Sequence, residues 1–165
     1  MQDFALNVKQ KEKKVGNKFS LFPFFLTSFF SCLFDQITKF YFTIFLQKNN
    51  GNIDIFNFLS LTLVKNYGIL FGFLNYEKVK FILILFSLFA ILFIFLYSKK
   101  FGKEEKFNQF SLGLIEGGIM GNLIDRIKYG YVIDFINFRF WPVFNFADSF
   151  ILIGIIMFFI KQMRS

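Results

Sequence analysis

Histidine is absent from the 165 residues, cysteine occurs once and proline twice. Without an imidazole the chain cannot build a Ser-His or Cys-His couple, nor a zinc site of the HExxH kind, since each needs that ring as base or ligand. The single Cys32 can form no internal disulfide. The net charge is +8, yet the basic residues form no stripe on a polar face. They flank apolar runs, so the charge is not the footprint of a nucleic-acid partner. Carboxylates remain as the source of chemistry.

What the chain has in excess is apolar surface, with 31 Phe and 55 % hydrophobic residues. These gather into four runs, 20–46, 79–98, 107–125 and 144–161, each reaching the roughly 18 residues needed to cross a hydrocarbon layer of about 30 Å. The expected fold class is an all-α integral membrane protein with four transmembrane helices. Lys9, Lys11, Lys13, Lys14 and Lys18 precede the first run, Lys99, Lys100, Lys103 and Lys106 lie between the second and third, and Lys161 and Arg164 follow the fourth. The other side carries Lys48, Lys65, Lys78, Lys80, Arg126, Lys128 and Arg139, so eleven cations oppose seven. That bias places both termini in the cytoplasm. Residues 1–19 are expected to be a basic cytoplasmic tail, 20–161 the membrane domain and 162–165 a second cytoplasmic tail. Within the membrane domain, the extracytoplasmic loop 47–78 combines the turn cluster Asn49-Asn50-Gly51-Asn52 with IDIFNFLSLTLV, whose β-branched and aromatic residues suit short strands. Such a sheet would bring Asn66 near the spans. Phe30-Ser31-Cys32 faintly resembles a lipoprotein cleavage box, but the following DQITKFYFTIFL stays apolar, so the first run is expected to be an uncleaved anchor.

A charge at the bilayer centre costs about 2.5–3.5 kcal/mol even on a forgiving scale, so carboxylates in the spans demand a reason. Asp35 sits four residues before Lys39, on one helical face, where the two can pair as a structural clamp. In GGIMGNLIDRI, Asn122 and Arg126 are one turn apart with Asp125 beside them, while Gly117, Gly118 and Gly121 permit close helix approach. A span entered near residue 107 carries Asn122 about 22 Å across, close to the outer face. The fourth run travels back from about Asn145, so Asn145 and Asp148 lie at that depth too. Asn-x-x-Asp at a helix start also fits a capping arrangement, and that reading stays open. Asp134 has no local cap or basic neighbour to explain it. The stretch from Phe135 to Ala147 is long enough to return the chain and set Asp134 beside Asp148. Two carboxylates at hydrogen-bonding range share one proton over a useful pH range. One can then activate water while the other supports the scissile carbonyl.

Five ordered segments resemble the motifs of the bacterial lipoprotein signal peptidases, the type II signal peptidases. They are Asp35-Gln36-Ile37-Thr38-Lys39, Lys65-Asn66-Tyr67-Gly68-Ile69-Leu70-Phe71, Gly117 to Arg126, Val132-Ile133-Asp134-Phe135 and Phe144-Asn145-Phe146-Ala147-Asp148-Ser149. The resemblance implies a catalytic dyad of Asp134 and Asp148, with Asp35, Lys39, Asn66, Gly68, Asn122, Asp125, Arg126, Asn145 and Ala147 lining or supporting the site. It implies no metal and no cofactor. The implied substrate is a prolipoprotein whose cysteine carries diacylglyceryl, cut just before that cysteine in the bacterial inner membrane, with globomycin-like peptides as inhibitors. Membrane lipid is the expected surrounding partner, nucleic acid is not expected, and a monomer is. The chain departs from the family pattern at Ile69 and Leu70, where small residues are common, in Glu116, and in a compact loop between the two aspartates. A proton-conducting bundle or small transporter is the alternative, because intramembrane acids with Lys39 and Arg126 can serve a relay. A non-enzymatic assembly subunit packing through its glycines leaves Asp134 unexplained.

Overall fold

The computed structural model of the protein describes residues 21–68, 76–101 and 105–164. The basic tail 1–19 and the family departures at Ile69 and Leu70 lie outside the described residues. Four helices, α1 (Phe22–Gln47), α2 (Tyr76–Ser98), α3 (Lys106–Tyr129) and α4 (Phe146–Met163), enclose a mostly helical body. Three strands, β1 (Asn52–Phe56), β2 (Leu59–Asn66) and β3 (Val132–Phe138), form one antiparallel sheet in that order. Two of the helices, over Glu77–Ser98 and Phe146–Met163, are long and apolar enough to cross a membrane by length and composition. The other two are as long, but polar side chains lower their apolar character, and those side chains face inward.

Burial in α1 shows this inversion. Ser28, Ser31, Asp35 and Lys39 recur at helical spacing and are buried, Asp35 being 0 % and Lys39 2 % exposed, whereas Phe40 is 69 % and Phe22 68 % exposed. A polar stripe turned inward and phenylalanines turned outward is stable only where the surroundings are apolar, since so large an exposed apolar surface would associate in water.

Glycine decides how closely the helices approach. A Cβ on Gly113 would lie 2.6 Å from the Phe24 carbonyl, one on Gly117 would strike Ser31 and Ser28, and one on Gly121 would lie 2.5 Å from the Asp35 carboxylate. The partners rise together along both chains, so α1 and α3 run parallel. On the neighbouring face Gly118 meets Ala147 and Ile151 while Gly154 meets Ser111 and Ile115, so α3 and α4 run antiparallel. The central α3 thus touches α1, α2 and α4.

The sheet lies at the end of the bundle where α1 and α3 finish and α4 begins. The expected strands in the 47–78 loop are present as the β1–β2 hairpin. The third strand, β3, takes Asp134 into its middle and pairs with β2 in the register Val64↔Asp134 and Asn66↔Val132. Three local devices place it there. Gly130 closes α3 in the left-handed region at φ 83°, donating from its N–H to the Arg126 carbonyl at 3.1 Å. Ile133 N–H donates to Asp125 Oδ2 at 3.0 Å, tying the strand to the helix just left. Beyond β3 the chain folds back, and Ile136 and Phe144 exchange backbone hydrogen bonds of 2.9 and 3.0 Å before Asn145 caps α4.

Candidate active site

Asp134 is 1 % exposed, and both of its oxygens accept hydrogen bonds. Asn66 and Asp134 share a face of the sheet as diagonal neighbours on β2 and β3, and Asn66 Nδ2 donates to Asp134 Oδ2 at 2.8 Å. The Asn66 amide is oriented from its other end, because Oδ1 accepts from the Gly68 N–H at 2.8 Å. Gly68 sits at φ 70°, and a Cβ there would lie 2.5 Å from Leu83 Cδ1, so glycine suits this turn on two counts. Asn145 Nδ2 donates to Asp134 Oδ1 at 2.7 Å. Burial pushes the Asp134 carboxyl up to about 7, opposed by the Asn66 hydrogen bond and reinforced by the charge of Asp148.

Asp148 is held from α3 and from its own helix start. Asn122 Nδ2 donates to Asp148 Oδ1 at 2.8 Å, and the Asn145 N–H donates to Oδ2 at 3.3 Å. The reciprocal bond, Asp148 N–H to Asn145 Oδ1 at 3.0 Å, completes a capping box. The capping reading of this motif and the chemical one are therefore not alternatives. Asn145 Oδ1 caps the helix while its amide group reaches Asp134, the Ile133 carbonyl and Asn122, three acceptors shared between two N–H groups.

Beneath the two aspartates lies a buried ionic cluster. Lys39 Nζ stands 2.8 Å from Asp35 Oδ2, 2.9 Å from Asp125 Oδ2 and 3.0 Å from Asn122 Oδ1. The expected Asp35–Lys39 pair is thus one edge of a triad, with two carboxylates around one ammonium. Asn122 Oδ1 accepts from Lys39 and from Asn145 at 3.0 Å each, which turns its amide group toward Asp148. Asp35 Oδ1 accepts the Ala147 N–H at 2.8 Å, so the triad also anchors the first turn of α4. Arg126 is half-buried beside the cluster, within electrostatic reach of Asp148, Asp125 and Asp134, and its NH1 lies 3.4 Å from the Asn122 carbonyl.

Every candidate residue named from the sequence therefore falls in one contiguous network or borders it. Glu116 stays apart, buried on the lower part of α3 beside Ser28. Gln36 was missed: its Nε2 donates to Asp125 Oδ1 at 3.1 Å and to the Gly121 carbonyl at 3.0 Å. The signal for it was its position between Asp35 and Lys39 on a helix whose inner face is polar. Asp148 opens onto a cavity of about 610 Å³ lined mainly by apolar side chains, among them Phe138, Trp141, Phe144 and Leu152.

Two carboxylates at the end of a helical bundle that turns its polar side chains inward and its apolar ones outward, one of them raised to about 7, fit the class of a membrane enzyme. The family model for Signal peptidase (SPase) II matches residues 27–164. A lipoprotein signal peptidase of Thermodesulfovibrio yellowstonii is 37 % identical over 143 residues, covering 84 % of this chain and 93 % of the relative. One from Borreliella afzelii is 33 % identical over 168 residues, covering 94 % and 93 %, and one from Caldanaerobacter subterraneus subsp. tengcongensis is 40 % identical over 129, covering 78 % and 87 %. Two solved structures described as a bacterial membrane enzyme, determined by the in meso method, superpose with TM-scores of 0.73 and 0.75 at 26 % identity. They cover 90 % and 88 % of this chain and 92 % and 96 % of theirs. The chain belongs to the signal peptidase II family, and its class is that of an aspartic-type signal peptidase.

Proposed function

We propose that Asp134 and Asp148 are the catalytic dyad of a peptidase that removes the signal peptide from diacylglyceryl-modified prolipoproteins, cutting just before the lipidated cysteine. The observation that carries this reading is the pair of carboxylates joined through Asn145 and Asn122, with Asp134 raised to about 7. Asp134, raised to about 7, retains its proton on the acid side of neutrality and offers it to the scissile carbonyl. Asp148 then takes a proton from the attacking water, so the two groups exchange roles as the tetrahedral intermediate collapses. Asn66, Asn122 and Asn145 orient the dyad, and Lys39 holds Asn122 in place while pairing with both Asp35 and Asp125. The apolar cavity beside Asp148 suits the acyl chains or the apolar signal sequence of such a substrate.

All four helices cross the membrane in this reading, with both termini in the cytoplasm and the sheet and dyad at the extracytoplasmic edge of the bacterial inner membrane. The parallel α1–α3 and antiparallel α3–α4 packing supports it, as does the excess of cations on the opposite side. A signal sequence crossing the same membrane leaves its cleavage site at that edge. The chain acts as a monomer, in lipid, with no nucleic-acid partner. A relay through the membrane is less well supported, because the paired ionisable groups collect at one end of the bundle instead of along it. Asp134→Asn and Asp148→Asn should each reduce cleavage of a diacylglyceryl prolipoprotein in detergent by about a thousandfold with unfolding temperature retained. Full activity in either variant sinks the assignment.

A further inference from the structure

A second groove opens on the opposite flank of α3, between α1, the end of α3 and the start of β3. Its volume is about 570 Å³, and neither Asp134 nor Asp148 lines it. We propose that this groove is a binding site for an anionic phospholipid of the outer leaflet, seated with its phosphate at Lys128 and Tyr129 and an acyl chain along α1. The proposal rests on the membrane orientation given above but not on the identity of the dyad.

Three features carry it. The first is a lining that alternates polar and apolar side chains along α1. Gln36, Thr43 and Gln47 line the groove from α1 and rise toward its outer end, while Ile37, Phe40 and Ile44 flank them and stand 57 %, 69 % and 40 % exposed. From Ile37 to Gln47 is about 15 Å of helix, a length suited to a glycerol backbone and the upper part of a chain. The second is the rim. Tyr129 and Tyr131 stack with centroids 5.9 Å apart, with Lys128 Nζ 4.8 Å from the Tyr129 ring and Lys65 Nζ 5.3 Å from the Tyr131 ring. Among the described residues neither lysine makes an ion pair, and Lys128 is held at the Tyr129 hydroxyl, where a phosphate would meet both groups. Tyrosines at this depth belong to the interfacial zone, where a headgroup lies.

The third is an unanswered polar atom. Thr43 Oγ1 is shielded from solvent with no hydrogen-bond partner among the described residues, and Thr43 lines the groove one turn below Gln47. Rotation of the Thr43 side chain toward the groove would bring that hydroxyl to an ester carbonyl below a phosphate at the rim. Asp125 also borders the groove, 1 % exposed, with its carboxylate engaged by Lys39, Gln36 and the Ile133 N–H. The substrate's own lipid is a poorer occupant, because the cavity that Asp148 opens onto lies on the other flank.

The test uses the full chain in detergent, with phosphatidylglycerol and phosphatidylcholine added in equal amounts and retained lipid counted by native mass spectrometry. Wild type should retain phosphatidylglycerol over phosphatidylcholine by about tenfold. The double change Lys65→Gln and Lys128→Gln should bring the ratio to near one, and Ile44→Trp, which fills the groove, should lower retention of both lipids severalfold. Equal retention of the two lipids by wild type, or unchanged retention in both variants, overturns the proposal. So does a dimer that buries the groove and forms in place of lipid binding. Labelling of Lys128→Cys in intact cells by an impermeant maleimide reads the orientation separately. Labelling only in inverted vesicles removes the membrane placement, whereas failure of lipid retention alone removes only the site.

Discussion

Replacing Asn66 by alanine should move the alkaline limb of the pH–activity profile upward. Asp134 stands at about 7 against an ordinary 3.8, a difference worth about 4 kcal/mol between its two protonation states. Asn66 works against that shift: its Nδ2 donates to Asp134 Oδ2 at 2.8 Å and so favours the ionised form. A hydrogen bond to a charged group is worth about 1.5–3 kcal/mol. Asn66 is exposed, so water replaces part of the loss, and the lower end, about one pH unit, is the appropriate magnitude. In wild type, cleavage should fall as pH rises through about 7, where Asp134 loses its proton. In Asn66→Ala the midpoint should lie near 8. The assay is the gel shift of a diacylglyceryl prolipoprotein in detergent at saturating substrate, followed from pH 5 to pH 10. A midpoint that stays in place or moves down refutes the assignment of Asp134 as the proton-bearing member. The sign carries over to folding. A carboxyl whose folded pKa is raised contributes stability that is complete below its unfolded value of 3.8 and lost as pH climbs through about 7. Thermal stability should therefore decline over that interval in wild type and less in Asp134→Asn.

Lys39→Met leaves Asp35 and Asp125 buried without their shared cation, and unfolding in detergent should show a loss of about 3–5 kcal/mol; an unchanged melting temperature would mean the triad is not needed. Asn145→Ala removes a helix cap worth about 1 kcal/mol and the donor to Asp134, so kcat should drop about a hundredfold with KM nearly constant; equal changes in both would point to substrate binding instead. Gly117→Ala drives a methyl group into Ser31 and the Ser28 carbonyl, and should destabilise the α1–α3 contact by about 1–3 kcal/mol, read as a lowered melting temperature.

Much of this was legible in the chain, and for identifiable reasons. Helix positions follow from apolar runs, a local property, and the ends of α1 to α4 fall within a few residues of the runs. The Asp35–Lys39 pair is an i,i+4 relation that any helix enforces. The capping box at Asn145 is likewise written in four consecutive residues. By contrast, VIDFINF carries β-branched and aromatic residues that suit a strand, but nothing local names the partner beside which it would lie. The pairing exists because Gly130 ends α3 and Asp125 catches the Ile133 N–H, bringing Val132–Phe138 alongside β2.

The residues alone determined the class of molecule and the chemistry open to it, because the want of imidazole and the length of the apolar runs do not depend on how the chain folds. They also named the acids, since a carboxylate in an apolar run needs a reason wherever it sits. Only the tertiary structure decided how those acids are wired. Lys39 answers two carboxylates instead of one, Gln36 joins the cluster, and Asn122 and Asn145 relay between Asp134 and Asp148. Those bonds join residues as many as 89 positions apart, and their distances depend on how closely the glycines of α3 let its neighbours approach, which no local pattern records.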